Sequence, residues 1–332
     1  MARLDVTCNA LARASDNLER AVARAAGLPD GVGEAFAVEA APASRAVVEA
    51  MRALERLQAL MVTGDADTVF PELPVDPGRV LLVGDTHADL TWWQEVGLPT
   101  ARRVGASVIL QVGDFGVWSR DQGRVVDGLE GPLAEEGRLL LYVEGNHEDF
   151  GYLLSVPVDE DGVRRLRPHI WHLPRGFRWV WSGQTFLACG GAGSPDLGGR
   201  VRGVDWWPQE AITPDDAERC VTGGACDVLV SHDGPVQVDP EVGYRGSWSA
   251  ADRAWCAASR AQLQRVVEGT RPRLMIHGHY HEHHLVEAAS TAYPARRFTV
   301  LGLNHAGGDH GSMAVLEPSL LSSGEAAALT IL

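Results

Sequence analysis

Three observations predict an α/β fold. From Arg79 onward, short runs of Val, Ile and Leu alternate with segments of helical character, which is how strands linked by helices read in sequence. The first three runs each lead within two residues into a Gly-Asp or Gly-Asn pair, so the strands end in tight polar turns. Across 332 residues the composition is 45% hydrophobic and 22% charged, enough apolar material for a sizeable core in a globular chain.

In chain order, residues 1–76 form a helical N-terminal extension and linker, and residues 77–332 form the main domain. Two helical stretches are predicted, at about 8–26 and 43–62. In the second, Val47, Met51, Leu54 and Met61, with Val48 and Leu57 beside them, recur at near-helical spacing and make an apolar stripe. That stripe is expected to pack on the main domain or against the first helix, with a homo-oligomer surface as the alternative. Gly64 to Gly78, carrying Pro71, Pro74 and Pro77, cannot continue a helix and reads as a linker. Strands are then expected at Val80–Val83, Val108–Val112 and Leu139–Val143, with helices over Ala88–Val104 and Gln122–Glu136 between them. Later runs, at Arg178–Trp181, Thr185–Cys189, Val228–Val230, Leu274–Ile276, Phe298–Leu303 and Met313–Leu316, read as hairpins and sheet edges.

The formal net charge is -15, and all 29 basic residues are Arg. Binding to long duplex nucleic acid rests on many cationic contacts to phosphate, so this balance excludes it while leaving room for a local phosphate site. The first 76 residues hold twelve acids against seven Arg and make no basic arm. Five cysteines, with no Cys-x-x-Cys pair, fit a reduced, cytoplasmic chain. No apolar run approaches the roughly 20 residues that span a bilayer, and Asp5 and Asn9 interrupt any signal-peptide core. Neither membrane insertion nor secretion is expected.

The chemistry is carried by short clusters that follow strands: Gly84-Asp85-Thr86-His87, Gly113-Asp114, Gly145-Asn146-His147-Glu148, Ser231-His232-Asp233 and His277-Gly278-His279-Tyr280-His281. Asp85 and Asp114 are 29 residues apart, and Asp114 and Asn146 are 32 apart, each about one strand-helix-strand unit. Equal spacing places the clusters at one sheet edge, outside the carboxyl ends of the strands, where open α/β sheets bind ligands. Asp, His and Asn without Cys suit manganese, iron or zinc rather than calcium. Two such ions clamp the attacking and leaving oxygens of a phosphoryl displacement.

In this order the five blocks resemble the calcineurin-like metallophosphoesterase family, over about Arg79 to Leu316. The resemblance implies a four-layer α/β/β/α sandwich of two mixed sheets, with two divalent metal ions at the sheet edge. By that likeness Asp85, His87 and His281 hold the first metal, Asn146, His232 and His279 hold the second, and Asp114 bridges them. The same likeness makes His147 the general acid on the leaving group, and Glu148, next in sequence, is expected to orient its imidazole. The second block reads Gly113-Asp114-Phe115-Gly116-Val117-Trp118 and lacks the phosphate-gripping Arg of the phosphoprotein phosphatase branch. The stretch Gly190 to Asp196, with Arg200, Trp206, Trp207 and Glu210, is similar to a pattern in bacterial and phage members of the family.

The expected activity is therefore hydrolysis of a phosphodiester in a small nucleotide or accessible nucleic-acid end, by a hydroxide that the metals generate. Manganese is the expected metal. A phosphomonoesterase is the alternative, and a non-catalytic metal-binding scaffold is the competing class. Arg200, Asn304 and His305 are candidate substrate contacts. Asp196 and Arg200, four residues apart, also fit a local ion pair. His277, His283, His284, His169, His172 and His310 are expected to lie outside the site.

Overall fold

The computed structural model describes residues 73, 76–119, 123–238 and 248–332. Two units are distinguished, Met1–Val69 and Phe70–Leu332, and the described residues all belong to the second. The helices predicted at 8–26 and 43–62 lie outside the described residues.

Strands β1 (Val80–Val83), β2 (Val108–Gln111) and β3 (Leu139–Tyr142) are buried at every position, so they carry apolar residues on both faces instead of alternating. Their alternate side chains separate into two cores. Val80, Leu82, Val108, Leu110, Leu139 and Leu141 face a second sheet, while Leu81, Val83, Ile109, Leu140 and Tyr142 face helices. Those helices are α1 (Leu90–Trp92), which runs through a π turn (Trp93–Gly97) into α2 (Leu98–Val104), and α3 (Arg124–Glu136). The π turn has a local cause in Pro99, which has no N–H to give the carbonyl four residues earlier and crowds it.

The chain continues through α4 (Phe150–Ser155), β4 (Arg164–Arg167), β5 (Ile170–His172), β6 (Arg178–Trp181), β7 (Gln184–Cys189) and α5 (Pro214–Thr222). It then forms β8 (Val228–Ser231), α6 (Ala250–Thr270), β9 (Leu274–His277), β10 (His284–Ala289), β11 (Arg297–Gly302), β12 (Met313–Leu316), α7 (Glu325–Ala328) and β13 (Leu329–Ile331). The first sheet has the order β13-β12-β1-β2-β3-β5-β4 and the second β10-β11-β9-β8-β7-β6. In the second sheet Trp179, Phe186, Val228, Val230, Leu274 and Ile276 face the first sheet. Leu187, Leu229 and Met275 face Ala217 and Cys220 of α5 and Leu263 and Val266 of α6. The layers are thus helix, sheet, sheet, helix, as expected.

The later strands depart from the sequence reading. Antiparallel edge pairs form at β6–β7 and β10–β11 in the second sheet and at β12–β13 in the first, whereas β7, β8, β9 and β11 are parallel and β8 and β9 are central. Parallel pairing needs a crossover of a dozen or more residues, and α5 and α6 supply it for β8 and β9. The segment read as linker also joins the domain at its end. Leu73 is buried in the inter-sheet core, and Asp76 Oδ1 accepts a hydrogen bond of 3.0 Å from Ser182 N.

Parallel register fixes the site. Val83, Gln111 and Tyr142 are laterally aligned, so the turns after β1, β2 and β3 leave one edge together. Val230 aligns with Ile276, which brings the turns after β8 and β9 to the corresponding edge of the second sheet. No helix among the described residues is long and apolar enough to cross a membrane.

Candidate metal centre

The two sheet edges meet through side chains. Asp114 Oδ2 lies 3.4 Å from His232 Nε2 and 3.9 Å from His87 Nδ1, so a turn of the first sheet touches one of the second. Asp85 Oδ2 lies 3.1 Å from His281 Nε2, and His87 Nε2 is 3.1 Å from His281 Nε2. His232 Nε2 lies 3.1 Å from Asn146 Oδ1, and the His232 and His279 rings are 4.9 Å apart. All seven sequence-predicted ligands therefore gather at one place. Asp85, His87 and His281 offer ligand atoms within 4.8 Å of one another, and so do Asp85, Asp114 and His232. Asp85 thus belongs to both groups and Asp114 to the second.

The backbone is bent to make this convergence. Asp114, His87, His279 and His281 all have positive φ, at 53°, 46°, 71° and 53°. Non-glycine residues avoid that region, and such strain persists only where the surroundings over-determine it. Thr86 N and His87 N both donate to Asp114 O, at 3.1 and 2.8 Å, and tie the first two turns together. Glycine is required between them, because a Cβ on Gly145 would stand 2.1 Å from Asp114 Oδ1 and one on Gly113 2.3 Å from His232 Nδ1.

The donor set fits a divalent cation. His232 Nδ1 is 2.9 Å from the Val112 carbonyl oxygen, an acceptor only, so Nδ1 carries the proton. In the neutral ring Nε2 is then a bare lone pair facing two oxygens, Asp114 Oδ2 and Asn146 Oδ1. Only a proton or a cation between them relieves that opposition. Burial disfavours a charged His232, but Asp114 and Asp85 outweigh it and push the imidazole up to about 10. Burial acts on Asp114 in the opposite sense, and His232, His147 and His87 hold its carboxyl well below the usual range. An imidazole that donates one N–H to a backbone carbonyl and turns its other nitrogen on carboxylates has the usual arrangement of a metal-ligating histidine.

Asn146 is fixed by a chain the sequence reading did not assemble. Its Nδ2 donates to Ser194 Oγ at 3.1 Å, and Ser194 Oγ donates to Glu210 Oε2 at 2.8 Å. Ser194 N and Trp255 Nε1 both donate to Glu210 Oε1, at 2.7 and 2.8 Å. Burial pushes the Glu210 carboxyl up while these donors oppose the rise. The chain turns Asn146 Oδ1 toward His232. S194A removes the acceptor for Nδ2 and is expected to weaken divalent-cation binding about 10- to 100-fold, with the fold retained. Isothermal titration with manganese, beside a melting curve, measures it.

His147 and Arg200 meet directly. Arg200 Nη2 is 2.9 Å from His147 Nε2, and Arg200 Nε pairs with Asp196 Oδ1 at 2.8 Å. A guanidinium donates and never accepts, so His147 Nε2 is unprotonated in this arrangement. Burial pulls the His147 imidazole down, Asp114 works against that, and Arg200 adds to the lowering. The i, i+4 ion pair expected of Asp196 and Arg200 is present, and it aims the guanidinium at the third cluster.

Other candidates fall elsewhere. Glu148 does not orient His147; its oxygens accept from Phe115 N, Gly116 N and Val117 N at 2.8, 3.1 and 2.9 Å and pin the loop after Asp114. Asn304 is tied into its own loop, its Oδ1 accepting from His305 N and its Nδ2 donating to His310 O. His305 stands at the rim, its ring 4.7 Å from that of His281. His277 Nε2 meets His284 Nε2 at 3.1 Å, beside the ligands but apart from them. His172 is buried against Glu144 at 2.8 Å, and Arg175 meets the same carboxylate at 2.6 Å, an ion-paired brace beneath the third cluster.

No family model and no curated protein matches the chain. Among solved structures it is similar to a dimetal phosphatase from Danio rerio, at 14% identity over 73% of this chain and 93% of that one, with a TM-score of 0.42. A protein serine/threonine phosphatase from Saccharomyces cerevisiae matches at 14% identity over 83% and 89% of the two chains, with a TM-score of 0.36. The NAD nucleotidase of Haemophilus influenzae matches at 12% identity over 77% of this chain and 49% of that one, with a TM-score of 0.35.

Proposed function

We propose that the chain is a dinuclear metal-dependent phosphoesterase that hydrolyses phosphodiesters. The observation that carries this reading is the meeting of five strand-end clusters around His232 Nε2, Asp114 Oδ2 and Asn146 Oδ1. Asp85, His87 and His281 hold one ion, Asn146, His232 and His279 the other, and Asp114 lies between them. This oxygen- and nitrogen-donor set suits manganese, iron or zinc, and manganese is the metal we assign. When bound there, the pair supplies Lewis-acid activation of the phosphoryl group and of a water.

The chain's own residues then do three things. The phosphate would sit in a cavity of about 230 Å3 where Arg200 and His147 stand beside the metal-holding Asp114, Asn146 and His279. Arg200 exchanges its hydrogen bond to His147 for a stronger one to a phosphate oxygen, since a charged acceptor binds a guanidinium better than a neutral imidazole does. His147 Nε2, released and now beside an anion, holds a proton and gives it to the departing oxygen. One proton of the water passes to solvent as its oxygen bonds to phosphorus, the bond to the leaving oxygen breaks, and the alcohol departs carrying the proton that His147 took up from solvent.

A diester is favoured over a monoester by charge. Among the described residues lining the cavity, Arg200 is the one permanently cationic side chain, and Asp196 already pairs with it. A monoanionic diester asks less of such a site than a dianionic monoester does. Manganese-loaded protein is expected to turn over bis-p-nitrophenyl phosphate with at least tenfold higher kcat/KM than p-nitrophenyl phosphate. The reverse order assigns a phosphomonoesterase. Two bound ions with neither ester hydrolysed assigns a non-catalytic scaffold.

A further inference from the structure

A second cavity, of about 370 Å3, adjoins the metal-side cavity, and the two share His147, Asp196 and Arg200 as lining residues. Its other walls include Trp118, Trp207, Asp149 and Asp205. We propose that this cavity receives the leaving group, and that it takes a neutral alcohol bearing a planar aromatic ring, of the size and shape of a nucleoside, while rejecting one that carries phosphate. The proposal rests on the phosphoesterase reading above and names the substrate class of that site.

Position is the first argument. His147 and Arg200 face both cavities, so a phosphate held on the metal side and touched by this pair has one ester oxygen directed past them into the second space. That is the side on which His147 protonates the departing oxygen.

Wall chemistry is the second. Trp118 and Trp207 give the cavity two indoles, and indoles attract planar rings beyond simple area burial. Trp118 is also held in place, its Nε1 donating to the His147 carbonyl oxygen at 2.5 Å. The partner tryptophan in the sequence does other work: Trp206 packs edge-on against Trp255, with ring centroids 5.9 Å apart. A few hundred cubic ångströms is the size of ordinary small-molecule pockets.

Charge is the third. Asp149, Asp196 and Asp205 line the cavity against a single cation, Arg200, whose Nε is committed to Asp196. Asp149 is buried and keeps its acceptors filled by Tyr152 N and Ser119. A leaving group with its own phosphate meets like charge at close range, which is how binding sites reject the wrong partner.

The test uses the full-length, manganese-loaded protein and the methyl ester of adenosine 5′-phosphate. Either alcohol of this diester can depart, and the two are of similar acidity, so the product ratio reports which one occupies the leaving-group position. Adenosine with methyl phosphate is expected to exceed adenosine 5′-phosphate with methanol at least tenfold. W207A should bring the ratio toward one, and a 3′-phosphate on the adenosine should lower turnover at least tenfold. A wild-type ratio near one, a ratio that W207A leaves intact, or indifference to the 3′-phosphate overturns the proposal. Equilibrium dialysis of adenosine separates this failure from that of the function reading. Adenosine retained by the wild type and at least tenfold more weakly by W207A supports the pocket even if no ester is hydrolysed, and equal retention by both overturns it.

Discussion

Replacing Asp114 by Asn is expected to lower turnover of bis-p-nitrophenyl phosphate at least roughly 10³-fold, a barrier increase of about 4 kcal/mol. The cause is charge more than shape. Two dications about 4 Å apart repel by roughly 16 kcal/mol at an effective dielectric constant of 20. A carboxylate lying between them offsets a large part of that, and an amide of the same shape does not. Asp114 Oδ2 lies 3.4 Å from His232 Nε2 and 3.9 Å from His87 Nδ1, and its Oδ1 accepts from His147 N at 2.7 Å. Asn keeps the volume that the close approach of Gly145 demands, so the fold should survive. Steady-state rates beside a melting curve check both parts. A variant that melts as the wild type does and retains more than a tenth of its activity removes Asp114 from the metal-bridging role.

The second large effect is expected from His147→Ala. General acid catalysis typically contributes about 10²- to 10⁴-fold, and its value rises with the basicity of the leaving group. The variant should therefore lose far more rate on the methyl ester of adenosine 5′-phosphate than on bis-p-nitrophenyl phosphate, with both ions still bound. Arg200 Nη2 occupies the lone pair of His147 Nε2 at 2.9 Å, so a proton at that nitrogen requires the guanidinium to move away. Equal losses on both esters would show that His147 serves to hold Arg200 and donates no proton.

The two halves of the site were unequally legible in sequence. Asp85, Asp114 and Asn146 were readable because each follows a strand of uniform Val, Ile and Leu character at the spacing of one strand-helix-strand unit. His232, His279 and His281 were readable as chemistry, but the strands before them were read as edges. Two three-residue apolar runs give no sign of direction, and their parallel pairing is decided by α5 and α6, which carry the crossovers. The contacts that aim the ligands were not readable at all. Ser194 and Glu210 lie 48 and 64 residues from Asn146 in sequence, and only the packed loop brings their side chains into one chain of donors. Glu148 shows the opposite failure. Its place beside His147 suggested a shared role, yet consecutive residues at a strand end point apart, and its carboxylate went to three backbone amides instead. The polar strand β4, Arg-Arg-Leu-Arg, has no apolar alternation to announce it; only its pairing with β5 makes it a strand.

The pairing of two ions around Asp114 is tested most directly by the manganese content of the full-length protein after equilibration with excess metal and gel filtration. Two ions per chain in the wild type, falling to about one in D114N, is the predicted result. One ion per wild-type chain at metal excess, or two retained by D114N, would contradict the dinuclear centre.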